Sequence, residues 1–224
     1  MPWEEAQELY RWALEQKSLD PVGIDVHIGS QIAEIEPYIA ALTRVLKVAS
    51  DLSSEGVPLE YVDIGGGFGI DDGQVAALDI DALAREIVPR VMDSGLQLIL
   101  EPGRALVADA GALLTKVEYV KTNAQKVFVI MDSGMSELIR PSHYGGYHEI
   151  EPAGPIAGRK DAVVDIVGPV CETGDFFAIG RSMPMPEEGE LLAVRTVGAY
   201  GFTMASNYNG RRRPAEVLVD GTEV

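Results

Sequence analysis

The sequence predicts an α/β segment of parallel strands followed by an all-β domain, and three observations carry that reading. Helix and strand patterns alternate up to about residue 105. Short β-rich runs with turn signals between them replace the helices after about residue 110. Three polar clusters, led by His27, Gly65 and Glu101, follow successive strands at intervals of 38 and 36 positions, about one βα module each. The division expected is therefore 1–108 for the α/β part and 109–224 for the β-domain.

The elements follow from local pattern. Pro2-Trp3 to Lys17 reads as a helix because Trp3, Ala6, Leu9/Tyr10 and Ala13/Leu14 recur at spacings of three and four. Val22 to Ile28 is a short apolar strand. Ile35 to Ser53 is a second helix with Ile39, Leu42, Val45/Leu46, Ala49 and Leu52 on one face, and Gly56 closes it. Leu59 to Ile64 is a strand, Ile80 to Asp93 a helix kinked at Pro89, and Leu96 to Leu100 another strand. These strands alternate little, as when both faces of a parallel sheet are covered. Beyond them, Ala112–Val120, Lys126–Met131, Ala162–Val167, Leu191–Val197 and Glu216–Val219 read as strands. Asp-Ser-Gly, Gly-Gly, Pro-Ala-Gly-Pro and Asn-Gly turns separate them, which fits an antiparallel sandwich or barrel.

Composition narrows the functional classes. A net charge of −17 argues against nucleic acid or an anionic membrane as partner, since both need a basic face. One cysteine excludes an internal disulfide framework, and one cysteine with three histidines supplies no Cys-rich zinc site. No metal is expected. No run of about 18 apolar residues reads as a membrane span, and the acidic Met1–Glu5 start is unlike a signal peptide, so a cytoplasmic location is expected.

Functional residues at the ends of successive parallel strands mark a (β/α)8 barrel face, although an open doubly wound sheet places ligands there too. Gly65-Gly66-Gly67 either exposes backbone N–H groups to a phosphate or makes a tight turn. Ser30 and Arg104 suit the same phosphate. Glu101 is a cofactor-orienting carboxylate or a cap, and His27 faces a ligand ring or sits hydrogen-bonded in the core. Three such clusters on one face favour an anionic, phosphate-bearing ligand. In the β-rich half, Arg140 and Tyr144 stand four apart beside a glycine turn, where both suit a carboxylate. Cys171 lies in the Gly168–Asp175 turn, either as a small hydrophobe or as a reactive thiol. Arg211-Arg212-Arg213 reads as a solvated face.

Six phrases carry a resemblance: HIGSQ at 27–31, DIGGGFG at 63–69, EPGR at 101–104, MDSGMSELIRPSHYG at 131–145, GPVCETGD at 168–175 and GAYGFTMASNYNG at 198–210. Together they resemble the pyridoxal-phosphate-dependent ornithine/arginine/diaminopimelate decarboxylases over nearly the whole chain. The Arg140…Tyr144 loop, continuing into Gly145–Glu149, resembles the diaminopimelate branch. The resemblance implies the last βα units of an alanine-racemase-like (β/α)8 barrel followed by an antiparallel β-domain. It also implies decarboxylation of meso-2,6-diaminoheptanedioate (meso-diaminopimelate) to L-lysine and CO2 with pyridoxal 5′-phosphate, in a homodimer that shares its active sites. Gly66, Gly67, Ser30, Arg104 and Tyr200 would hold the phosphate, with Pro102 and Gly103 completing that turn. His27 would stack on the pyridine ring, and Glu101 would pair with its nitrogen. Arg104, Arg140, Tyr144, Glu172 and Tyr200 would meet the substrate. Cys171, reaching across the dimer with Glu172, would be the acid that reprotonates the carbanion.

The family attaches its cofactor through a lysine in a Tyr-Ala-x-Lys-type motif. None of Lys17, Lys47, Lys116, Lys121, Lys126 and Lys160 follows that motif. Three βα modules precede the β-domain where closure needs eight, so the absent modules would amount to about 175 residues. The chain also stops at Gly221–Val224, short of the family's usual C-terminal helix. The sequence is thus expected to be the C-terminal portion of such an enzyme, inactive when isolated. Another decarboxylase of the family (ornithine, arginine or carboxynorspermidine) and a non-catalytic homologue are the alternative expectations.

Overall fold

The computed structural model describes residues 1–156 and 158–221; the Thr222–Val224 end lies outside the described residues. Two compact units divide the chain, one of Met1–Asp71 and Val75–Ala105, the other of Asp72–Gln74 and Leu106–Val224.

The first unit runs α1 (Trp3–Leu14), β1 (Gly23–Asp25), α2 (Glu36–Ser54), β2 (Tyr61–Asp63), α3 (Ile80–Ser94) and β3 (Gln97–Ile99). The strands form a parallel sheet in the order β1-β2-β3, with Ile24 opposite Val62 and Val62 opposite Leu98. Each is shorter than its apolar run, but pairing carries on through single bonds such as Val26 N–H to the Asp63 carbonyl. The α2 stripe buries Tyr38, Leu42, Val45, Ala49 and Leu52 against Ile24, Val62 and Ile64. Asp79 caps α3 by accepting the Ala82 N–H at 2.8 Å. The helix passes through Pro89 and ends at Gly95, whose φ of 74° only glycine adopts cheaply. Its face of Leu83, Ile87 and Val91 completes the core.

A short α4 (Gly103–Val107) leads into β4 (Leu113–Thr122), β5 (Val127–Met131), α5 (Arg140–Tyr144), β6 (Ile150–Pro152), β7 (Asp161–Val167), β8 (Phe176–Pro184) and β9 (Leu191–Val194). Strand order in the second unit is β6-β9-β4-β5-β7-β8. Among the described residues the pairs are antiparallel except β5 with β7, which runs parallel. Residues 132–160 supply the long crossover that a parallel pair needs. β4 pairs with β9 over Leu113–Lys116 and with β5 over Val117–Thr122, so one strand serves two partners. Val117, Val129, Met131, Ile166, Phe177 and Leu192 fill the core of this unit.

Four expectations are corrected here. One helical turn, α5, replaces a loop because Pro141 suits a first turn and Gly145, at φ 61°, ends it. β8 was not anticipated; its Gly180 interrupts the apolar pattern. The last strand of the sheet stops at Val194, since Thr196 turns to φ 57°. Glu216–Val219 forms no strand, and Val217, Leu218 and Val219 are exposed.

Candidate active site

In the first unit the three strand-end loops interlock through glycine. A Cβ on Gly66 would collide with the Glu101 carbonyl, and one on Gly67 with the Gly29 carbonyl. Only glycine permits that approach, and Gly67 also needs φ 79°. The loops are bonded as well as packed. Glu101 N–H donates to the Gly65 carbonyl at 2.9 Å, and Ile32 N–H to the Gly67 carbonyl at 3.0 Å. The buried Tyr38 hydroxyl donates to the Gly66 carbonyl at 3.0 Å, and burial pushes its pKa up to about 12. Gln31, at φ 58°, bonds both the N–H and the carbonyl of Ile70.

Two N–H groups of the glycine turn are already taken. Gly65 donates to Asp63 Oδ1 at 2.8 Å and Gly66 to His27 Nδ1 at 3.2 Å. The first bond closes a local turn on Asp63, and the second ties the loop after β2 to the loop after β1. His27 accepts at Nδ1, so its proton in the neutral ring sits on Nε2; the ring is exposed, not in the core. Arg104 donates from Nη2 to Ser30 Oγ at 3.1 Å, joining the β1 and β3 loops. Pro102 and Gly103 make the turn between Glu101 and Arg104, with Gly103 N–H bonded to the Glu101 carbonyl at 2.9 Å. Glu101 also stands with Asp25 and Asp63 so that one oxygen of each lies within 4.8 Å of the others. Burial, then the charge of Asp63, raises the Asp25 pKa.

The second unit gathers the remaining candidates. Arg140 opens α5 with its guanidinium carbon 5.8 Å from the Tyr144 ring and 5.6 Å from the Tyr200 ring. Tyr200 holds φ 61°, an uncommon conformation for a bulky residue. Gly174, in the Cys171 turn, lies against Ser142 of α5, so that turn and the helix are neighbours. Cys171 is exposed and free, and Glu172 beside it accepts a short bond from the Tyr208 hydroxyl.

Sequence reasoning missed what fixes these groups. Asp175 is 4 % exposed and accepts from Met135 N–H at 2.7 Å and Val170 N–H at 2.5 Å. Gly134 and Gly168 leave the space its carboxylate fills. Glu137, also buried, accepts from Gly134 N–H at 2.7 Å and from Arg211 Nε at 3.0 Å. Arg211 donates in addition to the Asp132 carbonyl. It thus ties its own segment to the loop between β5 and α5, which corrects the solvated reading of this residue. The available signal was an acid inside each glycine-bearing loop.

Residues 24–198 match the model of the pyridoxal-dependent decarboxylase, C-terminal sheet domain. The chain is 47 % identical over 221 residues to diaminopimelate decarboxylase of Neisseria meningitidis serogroup A, covering 99 % of this chain and 54 % of that protein. A solved structure from Aquifex aeolicus superposes with a TM-score of 0.93 at 44 % identity, covering 98 % of this chain and 54 % of the other. The structure of diaminopimelate decarboxylase from Helicobacter pylori complexed with L-lysine gives 0.87 at 39 % identity, over 94 % and 52 %. The chain spans about half the length of the curated relatives it matches. Interlocked strand-end loops, a six-stranded second unit and the family match over residues 24–198 lead to one conclusion: this chain belongs to the pyridoxal-dependent decarboxylases.

Proposed function

We propose that this chain forms part of a decarboxylase that converts meso-diaminopimelate to L-lysine and CO2 with pyridoxal 5′-phosphate. The observation that carries the reading is Arg140 held between Tyr144 and Tyr200. A guanidinium framed by phenols suits a distal carboxylate, the group that separates this substrate from ornithine or arginine.

The residues present fit the cofactor. Arg104 and Ser30, bonded to each other and drawn from two loops, offer a cation and a hydroxyl to the phosphate beside Gly67. Glu101 stands in a group of three carboxylates that favours a protonated ring nitrogen over a bare one. His27 has its Nδ1 occupied and its ring exposed, ready to stack. Bound there, the cofactor supplies an electron sink for the pair left when CO2 departs. Glu101 keeps the ring nitrogen charged, Arg140 and Tyr144 orient the dicarboxylate, and Glu172 meets its amino end. Cys171 delivers a proton from Sγ to the carbon that loses CO2. No lysine of this sequence lies in the three strand-end loops, so these loops themselves offer no amine for covalent attachment. A homodimer, with Cys171 and Glu172 serving the partner's site, and a cytoplasmic location belong to the same proposal.

The test is complementation. This chain is mixed with the N-terminal half of the Neisseria relative and pyridoxal phosphate, and lysine release from meso-diaminopimelate is measured. Turnover is expected in the mixture, with Arg140→Ala lowering it about 100-fold, the cost of truncating one partner of a buried charge pair. Equal turnover of ornithine, or an Arg140→Ala mixture that keeps its rate, would overturn the substrate assignment.

A further inference from the structure

We infer that His148 is the positioning residue of Arg140: as a neutral imidazole it holds the guanidinium in place, and on protonation it lets go. This inference rests on the reading that Arg140 meets a substrate carboxylate.

The ring is 2 % exposed and sits two residues before β6. Its Nδ1 lies 2.9 Å from the Arg195 carbonyl, just past β9, and 3.2 Å from Thr196 Oγ1. The Thr196 hydroxyl donates to that carbonyl at 2.7 Å, so its oxygen is left as an acceptor towards the ring. Nδ1 thus faces two oxygen acceptors and carries the proton. The opposite nitrogen, Nε2, lies 3.4 Å from Arg140 Nε. A guanidinium nitrogen only donates, which makes Nε2 the acceptor. Both edges of the imidazole therefore call for the same neutral tautomer, and the bond at one nitrogen sets the role of the other.

The backbone of the ring is pinned too, because Arg181 from β8 donates to the His148 carbonyl at 3.1 Å. Arg140 from α5 faces the ring and Arg181 from β8 bonds its carbonyl, whereas Arg195 past β9 offers its backbone carbonyl and keeps an exposed side chain near Glu151. The two carboxylates from the chain around β6 have other work. Glu149 takes the Tyr147 hydroxyl at 2.5 Å and lies 3.8 Å from Arg181, and Glu151 lies 3.6 Å from Arg195. An imidazolium would add a cation beside the guanidinium groups of Arg140 and Arg181 and turn Nε2–H against Nε–H of Arg140. Protonation thereby converts an acceptor into a donor, so the hold on Arg140 is lost as pH falls and is intact when the ring is neutral.

The experiment is nitrogen-15 NMR on the 224-residue chain, following its three imidazoles and the Arg140 Nε–H signal from pH 5 to 8, with exposed His143 as the internal control. The expected result is an Nδ1–H tautomer for His148 at pH 7, and an Arg140 Nε–H that exchanges about tenfold more slowly than a free guanidinium, the worth of one charge-assisted bond. That protection should vanish as the His148 ring protonates. His148→Phe should abolish it, and His148→Gln, which keeps an acceptor near the Nε2 position, should restore part of it. An Nε2–H tautomer, an imidazolium at pH 7, or Arg140 protection unchanged in His148→Phe would overturn the proposal. The wild-type tautomer decides the matter even if a variant fails to fold. If the couple is seen but Arg140→Ala leaves decarboxylation of the dicarboxylate unchanged in the mixture, the substrate reading fails and the positioning stands.

Discussion

Replacing Asp175 by alanine tests whether a buried carboxylate fixes the turn that carries Cys171. The side chain accepts two backbone N–H groups, from Met135 and Val170, across a gap that Gly134 and Gly168 leave open. Truncation strands both donors. Each buried unsatisfied donor costs about 1–3 kcal/mol, and both residues here are half-buried, so water offsets part of the loss. A total of about 3 kcal/mol follows. For a unit of this size, each kcal/mol moves Tm by about 4 °C, and the second unit should melt about 12 °C lower by calorimetry. The turn should also loosen, so the reaction of Cys171 with a thiol reagent should speed up in the folded protein. Asp175→Asn keeps the shape and one acceptor and should recover part of the loss. If Asp175→Ala melts within about 2 °C of the parent and its thiol reacts at the parent rate, the carboxylate does not close this turn.

Two further outcomes follow from the geometry. Gly67→Ala sets a Cβ against the Gly29 carbonyl at φ 79°, which should cost about 3 kcal/mol from backbone strain and overpacking together, read as an earlier urea midpoint of the first unit. Asp165 is buried, which opposes its ionisation, yet the bonds from Lys126 Nζ at 2.6 Å and Gly180 N–H at 2.7 Å outweigh burial and hold its pKa below the usual carboxylate value. A depressed pKa gives stability that is present above the unfolded value and lost as pH falls through the folded one. The second unit should therefore weaken on acidification below about pH 4, and Asp165→Asn should flatten that dependence in a pH series of denaturant midpoints.

The sequence disclosed the three strand-end loops because glycine at a close backbone approach has few substitutes. The motif spacing marks the loops, and the structure shows Gly66 and Gly67 facing the carbonyls of Glu101 and Gly29. What periodicity could not show was the use of polar groups. The Gly65 and Gly66 N–H groups look free in a string of letters but are satisfied by Asp63 and His27. Arg211 reads as a solvated residue, and nothing in the pattern marks Asp175 and Glu137 as buried, since charge alone does not reveal burial. Their partners lie 40 and 74 positions away in the chain. Apolar runs misled in the opposite sense: Val217, Leu218 and Val219 have strand-like chemistry but stay exposed and unpaired in the sheet.

The double duty of β4 has a consequence for the order of folding. Its second half meets β5 across a four-residue turn, a contact that closes early because little chain entropy is lost. Its first half waits for β9, 75–81 residues further on, a distant contact of the kind that slows folding. Arg195 and Thr196, whose oxygens orient His148, come directly after β9. The contacts around His148 are thus completed only when the sheet closes, and a partly folded chain can hold its β4–β5 hairpin before Arg140 has its imidazole neighbour.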